Sequence, residues 1–200
     1  RKYSVIFNHP INYAGIDASN KVDQFVNELK SNNLDSYFLS SLDSIAWLLN
    51  IRADDILHTP LAFSYLFISV ENKPILYLSI EKLNTDLKNR LSNFLNLQPI
   101  EEIENIFENL TKKLKVGFDY KNTSYFFYDL ALGNDLVPSN LQNPCLIPKA
   151  TKNETELEGS RKAHLRDGVS ITKFLYWLKN HQSVEEENEI SVANKLLSFR

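Results

Sequence analysis

Two hundred residues, 43% of them hydrophobic and 24% charged, are enough to bury a core, and the length suits one ordinary domain plus an additional piece. A formal net charge of -3 gives no chain-wide attraction for phosphate backbones or anionic membrane surfaces, which leaves protein or small-molecule partners and sets nucleic acid aside. Apolar runs such as residues 62–70 stop well short of the roughly 20 residues a spanning helix needs, so no membrane segment is expected. The single cysteine, Cys145, cannot make an internal disulfide, which suits a reducing compartment and makes cytoplasm the default. Sequons at Asn109, Asn122 and Asn153 read as chance occurrences in an Asn-rich chain. With no methionine, a start at Arg1 and an end at Arg200 inside helical periodicity, an internal segment of something longer is expected.

Val22, Phe25, Val26 and Leu29 recur at helical spacing and predict a surface helix over about residues 18–33. Tyr37-Phe38-Leu39 reads as a short buried strand. Ser41 is placed to cap the next helix through its hydroxyl, with Ile45, Leu48 and Leu49 inward, and residues 50–55 as the loop that leaves it. Apolar runs at 63–70 and 75–80 flank Glu71-Asn72-Lys73-Pro74 and predict a hairpin whose first strand is central. Leu83, Leu87, Leu91, Phe94 and Leu95 predict one helix, Pro99 interrupts, and Ile103, Ile106, Phe107, Leu110 and Leu114 predict another. Residues 116–120 return to strand character before a short aromatic helix over about residues 123–132. Strands separated by helices, with one hairpin, imply an α/β fold with a mixed sheet.

Between Gly133 and Pro148 the periodicity disappears and prolines accumulate, which marks a linker and the expected boundary between domains 1–148 and 149–200. Asn153 and Glu156 have the spacing of a capping box opening a long amphipathic helix, with Gly168 its weak point at about 1 kcal/mol relative to Ala. Residues 185–189 read as an acidic loop, and Ser191 as the cap of a final helix carrying Val192, Leu196 and Phe199.

Residue order is more specific than these patterns. The run from Ser41 through Trp47, Arg52 and Asp55 to Phe63-Ser64-Tyr65 resembles the middle domain of the large Xaa-Pro aminopeptidases, a creatinase/prolidase-like metallopeptidase family. His9-Pro10-Ile11-Asn12-Tyr13-Ala14-Gly15 is similar to the segment before that domain. Residues 149–159, Arg161-Lys162-Ala163-His164 and Asp167-Gly168-Val169 resemble the opening of the catalytic domain, and Glu189-Ile190-Ser191 with Phe199-Arg200 its second helix. The resemblance implies a creatinase-like domain with a mixed sheet between helices, followed by the first helices of a pita-bread domain.

It further implies removal of the N-terminal residue from peptides with proline second, by two divalent metal ions, usually manganese, that polarise the scissile carbonyl and acidify a bridging water. The family's ligands, two Asp, a His and two Glu, map to no position of this chain, so the segment is expected to be inactive alone and to support the catalytic domain and a homodimer. Ala53 departs from the pattern, since relatives usually carry Gly there; a loop needing positive φ would be strained. The alternatives kept open are a non-catalytic pita-bread relative acting as a protein-binding module, and a prolidase.

Among individual residues, Trp47 and Arg52 are the candidates for a domain or subunit interface, with burial in its own domain core the favoured reading for Trp47 and pairing with a carboxylate expected for Arg52. Arg52, Asp54, Asp55 and His58 form a polar cluster that is read as structural rather than metal-binding. His164 and Asp167 share a helix face and are read as a surface pair. Cys145 lacks the neighbours of a catalytic thiol. The aromatic set Tyr125, Phe126, Phe127 and Tyr128 has no basic stripe beside it and is assigned to core or interface packing.

Overall fold

A computed structural model describes residues 5–108, 110–181 and 184–200. The sequon at Asn109 and the start at Arg1 lie outside the described residues. Two compact units are present, one ending at Thr151 and the other beginning at Lys152.

The first unit runs β1 (Phe7–Asn8), α1 (Ile11–Ala14), α2 (Ala18–Ser31), β2 (Ser36–Leu39), α3 (Leu42–Leu49), β3 (Ile51–Arg52), β4 (Ser64–Ser69) and β5 (Ile75–Leu78). It continues through α4 (Thr85–Ser92), β6 (Asn96–Pro99), β7 (Lys115–Phe118), α5 (Tyr125–Gly133), β8 (Val137–Asn140) and α6 (Leu146–Ala150). Six strands form one mixed sheet in the order β6-β5-β4-β2-β7-β8, while β1 and β3 pair separately as an antiparallel ribbon. The hairpin of β4 and β5 is antiparallel, as is the β2–β4 pair; β6, β7 and β8 join in parallel. The α/β fold with a mixed sheet flanked by helices is therefore present, and β4 is central as its sequence implies.

Successive strand residues supply opposite faces because the pleat alternates. Tyr37, Leu39, Leu66, Ile68, Leu76 and Leu78 join Val22, Phe25, Ile45 and Leu48 of α2 and α3 in one core. Phe38, Phe67, Tyr77, Val116 and Phe118 turn the other way, to Phe107 and to Phe127 of α5. This second core is aromatic, with the Phe38 and Phe127 rings 4.3 Å apart.

Several expectations are corrected. The described residues of 103–114 do not form an α-helix: a 3-10 turn spans Ile100–Asn105, followed by turns that bury Ile106 and Phe107. The acidic side chains at positions 101, 104 and 108 would repel at helical i,i+3 and i,i+4 spacing, and the i,i+3 apolar pattern suits a 3-10 turn equally. The supposed linker at 133–148 contains edge strand β8 and reaches α6. Its Pro138, like Pro99 of β6, sits on a sheet edge, where a missing N–H leaves no ladder bond unmade. Residues 50–55 include strand β3. Ser41 occupies the N-cap of α3 but makes no side-chain cap bond; that end of the helix is held by a side chain from residue 143 instead. Ala53 has no positive φ, so the anticipated strain is absent; left-handed backbone falls on Asn50 and His58.

The second unit contains α7 (Glu154–Asn180), a 3-10 turn at Val184–Glu186 and α8 (Glu189–Phe199). Asn153 and Glu156 form the expected capping box, each bond 3.0 Å. Asn188, rather than Ser191, caps α8; Ser191 takes the third helical position and returns a bond to the Asn188 N–H. The acidic side of the loop is thus a helix start. Asp167 pairs with Arg200 at 2.7 Å and His164 Nδ1 lies 2.8 Å from the Ser160 carbonyl, so these two serve helix packing and the helix surface.

Gly117 is fixed by a close approach. It pairs with Tyr37 across β2 and β7, and a Cβ there would lie 2.5 Å from the fully buried Tyr37 ring and 2.8 Å from Leu34. Gly117→Ala is expected to lower unfolding stability by about 1–3 kcal/mol through overpacking, read from denaturant midpoints; an unchanged midpoint would disprove the close contact.

Candidate functional site

Helix α3 carries both candidate interface residues at or just beyond its C-terminal end. The helix is short, buries Ile45, Ala46, Leu48 and Leu49, and stops at Asn50, whose φ of 52° places it in the left-handed region that Asn tolerates. The Asn50 N–H closes on the Ala46 carbonyl. The remaining terminal carbonyls lie beyond the reach of helical N–H groups, so donors must come from elsewhere.

Three cationic side chains converge on this end, two of them at carbonyls the helix leaves open. Lys21, from the inward face of α2 and only 3% exposed, donates to the Trp47 carbonyl and to Asn50 Oδ1 at 2.7 Å. Arg52 Nη1 donates to the Ala46 carbonyl at 2.9 Å and to its neighbour Ile51 at 2.8 Å. Arg90, from α4, donates to the Leu49 carbonyl at 3.0 Å. Burial lowers the Arg90 pKa from its ordinary value, and the nearby Asp17 carboxylate opposes that shift. Positive charge at a helix C-terminus also complements its dipole. The amide of Asn50 donates to the Ile16 carbonyl at 3.0 Å, and its own carbonyl accepts from the His9 N–H at 2.8 Å, which fastens the segment before α2 to the same point.

Trp47 is half-buried. Its ring packs against the first core and lies beneath the Lys21 ammonium, 4.4 Å from nitrogen to centroid. Arg52 is likewise partly exposed, and the structure uses it to tie β3 to α3. Asp55 accepts from Lys82 at 2.7 Å and from the Phe63 N–H at 2.9 Å, which braces the loop that carries His58. Among the described residues no three His, Cys, Asp or Glu side chains are gathered as a metal-ligand set.

The N-terminal end of α3 meets a second polar cluster. Asn143 Nδ2 donates to Ser44 Oγ at 2.8 Å, and the Asn143 N–H reaches Asp119 Oδ2 at 3.3 Å. The buried Tyr37 hydroxyl donates to the Leu141 carbonyl at 3.1 Å, and burial raises its pKa. Burial opposes ionisation of Asp119, yet bonds from Asn122, Asn143 and Lys121 together outweigh it and hold the carboxyl below its usual value. Cys145 is 1% exposed, and burial pushes its thiol up to about 12, with Lys149 and Lys21 pulling weakly the other way. It is a core thiol. The aromatic set divides: Phe127 enters the second core, whereas Tyr125 is 73% exposed.

Sequence reading missed Lys21, Asn50, Arg90, Ser44, Asp119 and Asn143. For two of them a signal was present: Asn at the end of an apolar helix marks a left-handed cap, and Lys21 interrupts the stripe of Ala18, Val22, Phe25 and Leu29.

Replacing Lys21 by Met keeps the stem and leaves the Trp47 carbonyl and Asn50 amide short of a donor; a loss of about 2 kcal/mol in denaturant unfolding is expected, and a neutral effect would refute the role. Because the Asp119 pKa is depressed in the fold, its stabilisation is complete above the ordinary carboxylate value of about 3.9 and fades as pH falls through the folded value. Asp119→Asn should therefore lower Tm at neutral pH, with the difference from wild type shrinking in acid; a constant difference across pH 2–7 would contradict it.

Residues 1–156 match the creatinase/prolidase N-terminal domain family. Probable Xaa-Pro aminopeptidase P of Penicillium rubens is 34% identical over 200 residues, covering 96% of this chain and 32% of that protein. Its counterpart in Pyricularia oryzae is 33% identical over 205 residues, with 96% and 33% covered. The chain thus spans about a third of the length of the curated relatives it matches. Among solved structures, the X-prolyl aminopeptidase of Caenorhabditis elegans, described as a cytosolic enzyme with a di-nuclear active site, superposes with a TM-score of 0.87 at 27% identity, over 100% of this chain and 34% of that one. The Xaa-Pro dipeptidase of Bacillus anthracis, at 15% identity and a TM-score of 0.63 over 92% and 48%, shares the fold. Matched by the family over residues 1–156 and by relatives over 96% of its length, the chain belongs to the creatinase/prolidase N-terminal domain family.

Proposed function

We propose that this chain is the creatinase-like domain, with the opening of the catalytic domain, of a metal-dependent Xaa-Pro aminopeptidase that removes the first residue from peptides with proline second. The observation that carries the reading is the continuous match to Xaa-Pro aminopeptidase P relatives over 96% of the chain, which runs past Thr151 into the second unit. On this reading the domains divide at about residue 148, and the role of the segment is to support the catalytic domain and a homodimer, with Trp47 and Arg52 as contact residues. Cytoplasm is the proposed compartment, supported by the cytosolic Caenorhabditis elegans neighbour; among the described residues no helix is long and apolar enough to cross a membrane.

The di-nuclear site of the same neighbour supports two divalent metal ions, taken as manganese, in the whole protein. The described residues of this chain do not fit that centre, since no acidic or imidazole cluster of sufficient size is present among them. The ligands would come from the two thirds of such a protein that these residues do not span. What these residues contribute is a wall: a two-sided sheet with α3 packed on its first core.

The test compares the 200-residue chain with a full-length protein containing it. Manganese-dependent release of the first residue from an X-Pro-X peptide is expected from the longer protein and not from the segment. Turnover by a contaminant-free segment, or none by the longer protein, would overturn the reading. In the same longer protein, sedimentation of Trp47→Ala should show loss of dimer; an intact dimer would remove Trp47 from the interface.

A further inference from the structure

We propose that residues 142–151 form a strap that opens and closes as a unit of its own, pivoting at Leu141, while the sheet beneath it stays folded. The inference concerns the first unit alone and does not depend on the aminopeptidase reading.

The strap differs from the rest of the unit in how it is held. Its main-chain hydrogen bonds close within it: Leu146 N–H to the Asn143 carbonyl, Lys149 to Cys145, and Thr151 to Ile147. The last main-chain bond to the sheet is made by the pivot, from the Leu141 N–H to the Phe118 carbonyl at 3.0 Å. Opening therefore breaks no strand ladder. Only Asn143 and Cys145 of the strap are buried, and Ile147 on α6 is 75% exposed, so little apolar area opposes release.

Beneath the strap lies a groove of about 490 Å³, walled on the opposite side by Lys21, Phe25, Trp47 and Leu48. Close packing is thus incomplete where the strap crosses α2 and α3. Polar clasps join it to the first turn of α3 and the end of β7, among them Asn143 to Ser44, the Asn143 N–H to Asp119, and the ion pair of Lys149 with Asp43. The Asp43 carboxylate is 58% exposed, so the ion pair adds little. Cys145 is the core plug that the clasps keep in place.

Because Cys145 is the chain's single thiol, it reports on opening. The whole chain is exposed to a dithionitrobenzoate reagent over a range of subdenaturing urea concentrations. Wild-type labelling should depend on urea with a slope well below that of global unfolding. Ser44→Ala, which removes one clasp with little change of volume, should speed labelling about tenfold, what one buried hydrogen bond commonly supplies, and lower the global folding equilibrium by the same factor, because the clasp is absent from the open and the unfolded chain alike. Phe118→Leu in the second core should lower global stability and leave low-urea labelling unchanged. The proposal is overturned if wild-type labelling carries the full global slope, if Ser44→Ala leaves labelling unchanged, or if labelling of the Phe118 variant rises in step with its lost global stability. Should Ser44→Ala fail to fold, the wild-type slope and the Phe118 variant decide.

Discussion

Helix α3 ends inside the first unit, and its last carbonyls must find donors there. Lys21 and Arg90 meet that demand at the Trp47 and Leu49 carbonyls, and Arg52 adds a second donor at Ala46, with Asn50 turning the backbone at their centre. A buried helix terminus without partners would forfeit the desolvation energy of several carbonyl groups, on the order of 1–3 kcal/mol each. The same point collects α2, α4, β3 and, through the His9 N–H, the segment before α2. The arrangement of helices over the first core follows from where these donors can reach.

The opposite end of α3 is held by a different chemistry. Ser44 is bound by Asn143, whose main chain is bound in turn by Asp119, so residues nearly a hundred apart in sequence meet at one helical turn. Between the two ends, Ile45, Leu48 and Leu49 press on the sheet whose reverse side carries the aromatic core of Phe38, Phe107, Phe118 and Phe127. Tyr37 connects these layers to the strap: its ring fills the space that Gly117 leaves open, and its hydroxyl ends on the Leu141 carbonyl. The polar groups at the two ends of α3 are thus spent on fixing that helix.

The sequence carried the strong elements because their signals are local. Helices α2, α4, α5 and α7 and the hairpin of β4 and β5 declare themselves by period and turn chemistry, and the capping box at Asn153 by its spacing. Edge strands β6 and β8 were not legible, since a polar strand containing proline has neither alternation nor propensity, and its pairing is set by the neighbour it finds. The segment after Pro99 misled because a 3.6-residue and a 3-residue period place the same apolar residues inward over a short run. Trp47 and Arg52 were singled out from residue order, and their surroundings explain their local work: one carries an ammonium on its ring, the other binds the helix end.

By itself the sequence determined the α/β class, the main helices, the central hairpin and, through the order of residues from Ser41 to Tyr65, the family, because each of these is written in neighbouring positions. Only the tertiary structure decided that Lys21, Arg52 and Arg90 share one helix end, that Asn143 closes on Ser44, and that the proline-rich stretch is an edge strand and a strap. These are satisfactions of buried polar groups by partners distant in sequence. No local pattern encodes them, since a carbonyl accepts from whichever donor the packing of the whole unit brings within reach.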